Sequence, residues 1–188
     1  LIAALLQSNG ASFEAYAKVP PALSPQNRRW VHESLSSLPP LYDYAACTEF
    51  AAGKIANVFG AAFTEADQFP TRVRLPAERL LLCHRVMSLN AEAKSLSSGK
   101  MVTEHDVFAD AWYLEDGFMP TSIAVESGQA DLMLAAYLGA DFVTKGKAVY
   151  RLLDARVCFY GDLPRVGATI RYEIEIKKFF EQSGTLFF

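Results

Sequence analysis

The sequence is poor in the features that mark several large functional classes. Its 188 residues hold no apolar run near the roughly 20 residues that a membrane span needs, and no leader-peptide pattern opens it. Neither sign of charge dominates: 18 basic and 21 acidic side chains leave a net charge of −3. That excludes an electrostatic case for nucleic acid, so neither nucleic acid nor membrane is expected as a partner. Cysteines are few and odd in number. Cys47, Cys83 and Cys158 are widely spaced in apolar surroundings and read as reduced core residues of a cytoplasmic protein. His32, His84 and His105 are scattered, and with those cysteines they give no metal-ligand spacing. Gly10, Gly53 and Gly60 stand alone as helix stops, without a phosphate-cradling pattern. No metal and no cofactor is therefore expected. There is no initiating Met, and Gly184-Thr185-Leu186-Phe187-Phe188 closes the chain like a strand cut after its first residues. A fragment of a longer polypeptide is expected.

What is present is apolar substance. An apolar fraction of 51% and thirteen Phe suit a well-filled core, and the length allows one sizeable domain plus an accessory segment. Residues 1–70 read as an N-terminal helical or linker segment, and 71–188 as the main domain. LIAALLQ, SFEAYAKV and a stretch after Ser24-Pro25 running to about Leu38 are predicted helices, the last one broken by Pro39-Pro40. Tyr42 to Phe59 repeats apolar residues at three- and four-residue spacings and stops at Gly60. AAFTEADQFPTRVRLP reads as a connector with little regular structure. From Leu80 the period changes to two: LLLCHRVMSL and GKMVTEHDV are predicted strands around a polar turn from Asn90 to Ser98. VYRLLDARVCFYG and ATIRYEIEIKKFF are predicted strands joined by the turn GDLPRVG. In the last of these, Tyr172, Ile174 and Ile176 share one face, and Arg171, Glu173, Glu175 and Lys177 the other.

The chain is organised around FMPTSIAVESGQADLMLAAYLGADF, residues 118–142. Pro120 suits a first helical turn, Thr121 or Ser122 can cap, and Gly139 can end the run. Between about 120 and 138 the segment is apolar almost all round, as in a helix wrapped by protein. It nevertheless carries Glu126, Gln129 and Asp131. A carboxylate in such a setting is costly unless paired or used, which singles out Glu126. Asp131, five residues on, points more than a quarter-turn away and reads as a paired or solvated carboxylate. Gln129 lies one turn along the Glu126 face, where it can bond that carboxylate. The element order favours an α+β fold, an antiparallel sheet wrapped around one long helix, known as the hotdog.

Taken together, LLLCHRVMSLNAEAKS, GKMVTEHDVFADAWYL, MPTSIAVESGQADLMLAAYLG and RVCFYGDLPRVGATIRYEIEIKKF resemble, in order, the hotdog dehydratases that act on β-hydroxyacyl chains held on acyl carrier protein. They look most like the dehydratase regions of multidomain polyunsaturated fatty acid synthases, over roughly residues 41 to 188. The resemblance implies dehydration to a trans-2-enoyl thioester. Its partners would be an acyl-ACP, presented as a phosphopantetheine thioester, and an adjacent hotdog unit, with a homodimer as the other pairing. It matches Met119-Pro120 to the family's Met-Pro turn, and Thr121 and Ser122 to residues whose amides face the thioester oxygen. Glu126 matches the helix acid. Trp112 and Tyr113 match the family's aromatic pair and are expected to pack the lip of the acyl tunnel or the unit–unit interface, with core packing alone as the equal alternative. One departure is informative: between Tyr113 and Met119 stand only Leu114, Glu115, Asp116, Gly117 and Phe118, where the family carries its catalytic His. His105 occupies a different place and is not expected to replace it. Three readings follow: half of a double-hotdog dehydratase with the His supplied by the second unit, a non-catalytic scaffold hotdog, or a hotdog thioesterase using the helix carboxylate alone.

Overall fold

The computed structural model describes residues 37–158 and 160–188. The helices expected before residue 37, and His32, lie outside the described residues. Helix α1 (Tyr44–Ala52) begins where the Asp43 side chain accepts a hydrogen bond from the Ala46 amide at 2.9 Å. The sequence predicts one helix from Tyr42 to Phe59, but it is divided at Gly53, and α2 (Ala56–Phe59) restarts after it. Asp67 explains the restart. Its carboxylate accepts from the amides of Ile55 and Ala56 at 2.8 and 3.1 Å, capping the new turn from a distant loop. The connector expected to lack structure contains two short 3₁₀ turns, Ala61–Phe63 and Ala66–Gln68.

The sheet is antiparallel, in the order β1 (Arg85–Ala91), β2 (Gly99–Asp106), β3 (Thr169–Ile176). Strand β1 starts five residues later than the alternation suggests. Cys83 is buried as expected, together with Leu81 and Leu82, but all three serve the core outside the ladder. Along β3 the expected alternation holds: Arg171, Glu173 and Glu175 face water, and Tyr172, Ile174 and Ile176 turn inward. A terminal hairpin, β4 (Phe180–Gln182) with β5 (Thr185–Phe187), turns at Ser183 and Gly184, both at positive φ, as a two-residue hairpin loop requires.

The helical run expected at 120–138 is present in two pieces, α3 (Thr121–Glu126) and α4 (Asp131–Tyr137), followed by α5 (Ala140–Thr144). It packs against the sheet. Leu134, Leu138, Met133 and Ala135 join Phe50, Ile55, Phe63, Met101 and Ile176 in the main core. A smaller cluster gathers Leu82, Val107, Tyr113 and Met119 at the start of α3. The β1–β2 turn closes over the other end, where the amides of Lys94 and Leu96 donate to the carbonyls of Tyr137 and Leu138 at 2.9 Å each. Those carbonyls would otherwise be orphans of the helix terminus.

One predicted strand is not formed. Residues 149–158 make no ladder, and Val149, Leu152, Leu153 and Val157 are exposed. A strand needs a partner backbone along a sheet edge. This segment instead supplies Tyr150, Leu152, Ala155 and Val157 to a cleft shared with the helical run. Cys47 and Cys83 are buried with their sulfurs 3.9 Å apart, whereas Cys158 is exposed, against the expectation of a core position.

Candidate active site

The site is built where the segment at 164–167 crosses the start of α3. The Met119 amide donates to the Pro164 carbonyl at 2.8 Å, fixing the Met-Pro turn, and Met119 itself is fully buried. Pro120 is the N-cap, and neither Thr121 nor Ser122 caps through its side chain, contrary to expectation. Both stand inside the first turn and are exposed. The first N–H groups of a helix have no partner within it, so these amides are available to an acceptor from outside.

Glu126 ends α3 and is half-buried. Its Oε2 accepts from Gln129 Nε2 at 2.8 Å, the contact the sequence spacing suggests. The break after it is imposed by Tyr172 from β3. The Tyr172 hydroxyl donates to the Ala124 carbonyl at 2.9 Å and hydrogen-bonds the Ser127 hydroxyl. Its ring lies so close to Gly128 that an added Cβ would stand 3.0 Å from a ring carbon. Burial pushes the Tyr172 hydroxyl above its usual pKa, which keeps it a donor.

Beside this break lies a cleft of about 510 Å³, mostly apolar, lined among others by Val125, Gly128, Gln129, Leu163, Ile170 and Tyr172. Its size falls within the range of small-molecule sites. Asp131 and Tyr150 also line it, with the Tyr150 hydroxyl 3.4 Å from Asp131 Oδ2. Tyr150 was not among the expected site residues. It stands in a segment whose alternation reads as strand, so nothing local marks it.

The aromatic pair is placed elsewhere. Trp112 is exposed and donates from Nε1 to the Arg79 carbonyl at 3.0 Å. Tyr113 is buried and its hydroxyl meets His105 Nε2 at 2.6 Å. Neither lines the cleft. His105 is a satisfied core residue: its Nδ1 meets the Leu82 carbonyl at 2.7 Å, which requires the proton on Nδ1, and Nε2 then accepts from Tyr113. Burial lowers its pKa to about 4. His84 lies against it at 4.1 Å between ring centroids, and its Nδ1 accepts from the Asp106 amide at 3.0 Å. Below them Arg85 donates to both oxygens of Asp106, at 2.6 and 2.7 Å, and to Glu104 at 2.8 Å. Among the described residues no group of three or more His, Cys, Asp or Glu side chains could hold a metal ion, and no helix is long and apolar enough to cross a membrane.

Comparison with known proteins adds two findings. Residues 75–188 match the family model described as FabA-like domain. Over 140 residues, 74% of this chain, the sequence is 42% identical to a polyunsaturated fatty acid synthase polypeptide of Thraustochytrium sp.. The matched part is 9% of that protein, so the chain spans a small part of its relative.

Proposed function

Because the chain belongs to the FabA-like domain family, we propose that it is one half of a double hotdog that removes water from β-hydroxyacyl thioesters carried on acyl carrier protein. Its setting is a longer cytoplasmic synthase of the polyunsaturated fatty acid or polyketide-like kind. The acyl chain occupies the cleft along the helical run, and the thioester oxygen faces the amides of Thr121 and Ser122. A His from the adjoining unit takes the proton alpha to the thioester, and negative charge develops on that oxygen, where backbone N–H groups stabilise it. The bond from the β-carbon to its hydroxyl then breaks as Glu126 gives its proton to the departing oxygen. Water leaves, the trans-2-enoyl thioester remains, and Glu126 is left as carboxylate and the His as imidazolium. Proton exchange with water resets both.

The observation that carries this reading is the position of Glu126. Its carboxyl stands seven residues after Met119, and it is held by Gln129, which itself lines the cleft. The test is Glu126→Gln in the full-length protein, offered a 3-hydroxyacyl-pantetheine thioester while enoyl absorbance is followed. Turnover is expected to fall by about 10²–10⁴-fold, the usual contribution of a general acid, with circular dichroism unchanged.

A second reading, a scaffold hotdog that only pairs with a competent neighbour, is favoured by the histidines. The loop at 114–118 has none, and His105 is bonded into the core on both ring nitrogens. On that reading Glu126→Gln leaves turnover intact. Leu153→Glu, in the exposed apolar stretch at 149–157, then removes activity by separating the two units.

A further inference from the structure

Asp131 opens α4 and lines the cleft two residues beyond Gln129. Its oxygens are poorly served. Oδ1 is buried with no hydrogen-bond partner, and Oδ2 has the Tyr150 hydroxyl at 3.4 Å, the long limit of a hydrogen bond. Asp141 also keeps one oxygen without a partner, but it lies outside the cleft and accepts from the Val73 amide at 2.9 Å, and two other buried carboxylates are fully engaged. Asp106 takes both guanidinium nitrogens of Arg85, and Asp67 takes Arg72 together with two backbone amides. No such cation is paired with Asp131 among the described residues. A carboxyl left half-satisfied in an apolar wall is costly, and such groups in folded proteins mark sites where something else completes the bonding.

Burial shifts both groups upward. Burial raises the Asp131 carboxyl above its ordinary pKa, against the Tyr150 hydroxyl and the nearby amides of Leu132 and Asp131, which favour the carboxylate. Burial, then the Asp131 charge, pushes Tyr150 up to about 12. The rest of the wall, including Val125, Leu152, Val157 and Ile170, is apolar.

We propose that Asp131 and Tyr150 together hold an oxygen of the chain lying in the cleft, and so select acyl chains with a hydroxyl near the thioester over saturated chains of equal length. The inference rests on the reading above that this cleft takes the acyl chain. Gln129 places the selected oxygen near the chemistry, because it lines the same cleft and holds Glu126. Neither residue transfers a proton; they orient the group that Glu126 acts on.

The test uses the full-length protein and a saturated acyl-pantetheine amide bearing a diazirine, with labelling of the peptide spanning residues 149–164 read by mass spectrometry. Two unlabelled competitors are compared, a 3-hydroxyacyl pantetheine amide and its 3-deoxy counterpart. The hydroxy compound is expected to compete at a concentration about threefold to tenfold lower, the yield of one or two modest hydrogen bonds. Asp131→Leu and Tyr150→Phe are each expected to bring the two competitors together while labelling persists, which shows the cleft still folded. Asp131→Asn, which keeps a donor and an acceptor, retains the gap. Equal competition in the unaltered protein, a gap that survives Asp131→Leu, or no labelling of that peptide overturns the proposal. The two readings fail separately: a silent Glu126→Gln removes the dehydration assignment and leaves the competition gap, whereas a missing gap leaves the Glu126 result standing.

Discussion

Two kinds of charged residue share this small protein, and their surroundings separate them. Arg85, Glu104 and Asp106 are buried and fully engaged: Arg85 stands directly across the ladder from Glu104 and grips Asp106 with two nitrogens. Removing one member leaves the others as uncompensated buried charges. Arg85→Met is therefore expected to cost about 3–5 kcal/mol in denaturant unfolding, well beyond a surface ion pair. Glu126 is the opposite case, half-exposed and tied only to the neutral amide of Gln129. Substituting it should leave stability within about 0.5 kcal/mol, as at surface sites generally. A large loss of turnover in Glu126→Gln then reports chemistry alone.

At the scale of elements, the helical run is held in position by two glycines with different reasons. Gly139 sits at φ +100, and a Cβ there would lie 2.9 Å from the Lys94 Cα. Gly139→Ala combines backbone strain with a backbone clash and is expected to cost about 1–3 kcal/mol, measured by urea unfolding. Gly128 has no such φ; its constraint is the Tyr172 ring. Gly128→Ala should therefore be relieved by Tyr172→Phe only in part, because the ring stays. Its effect should fall on the 127–130 break, seen as slower turnover with a modest change in melting temperature. The break also places Glu126 and Asp131 in different helical pieces: Asp131 lines the cleft, and Glu126 is linked to it through Gln129, which does.

For the whole molecule, acid stability is set by groups with opposing shifts. His105 has a folded pKa of about 4, lowered by burial, against an unfolded value near 6.5. The folded state therefore binds fewer protons, and the His105 contribution is complete above about pH 6.5 and lost as the pH falls toward 4. Asp141 runs the other way. Burial raises it to about 6, so its folded state binds the extra proton and becomes relatively more stable as the pH falls through 6 toward 4. Each shift corresponds to about 3 kcal/mol at most. The native protein is expected to show a shallow pH dependence between 4 and 6.5. His105→Phe should steepen its gain toward acid, and Asp141→Asn should steepen its loss, both read from unfolding midpoints at pH 4.5 and 7.5.

Some of this is written in the residues themselves. The alternation of RYEIEIKKF gives β3 and its buried face, Gly139 gives the end of the helical run, and the three-residue spacing of Glu126 and Gln129 gives their hydrogen bond, because each depends only on local geometry. Other features depend on groups far away in the chain. Alternation in VYRLLDARVCFYG suggests a strand, but strands form only against a partner edge, and Tyr150, Leu152, Ala155 and Val157 share a cleft with the helical run instead. Tyr172 divides that run from another element, and Asp67 restarts α2 from a loop. Asp131, which reads as a paired or solvated carboxylate, becomes a half-satisfied one only because Tyr150 is brought beside it. Local pattern determined β2, β3 and the helical run that carries Glu126; tertiary contact decided where that run divides and which residues face the cleft, since burial and pairing are properties of neighbours that sequence spacing does not contain.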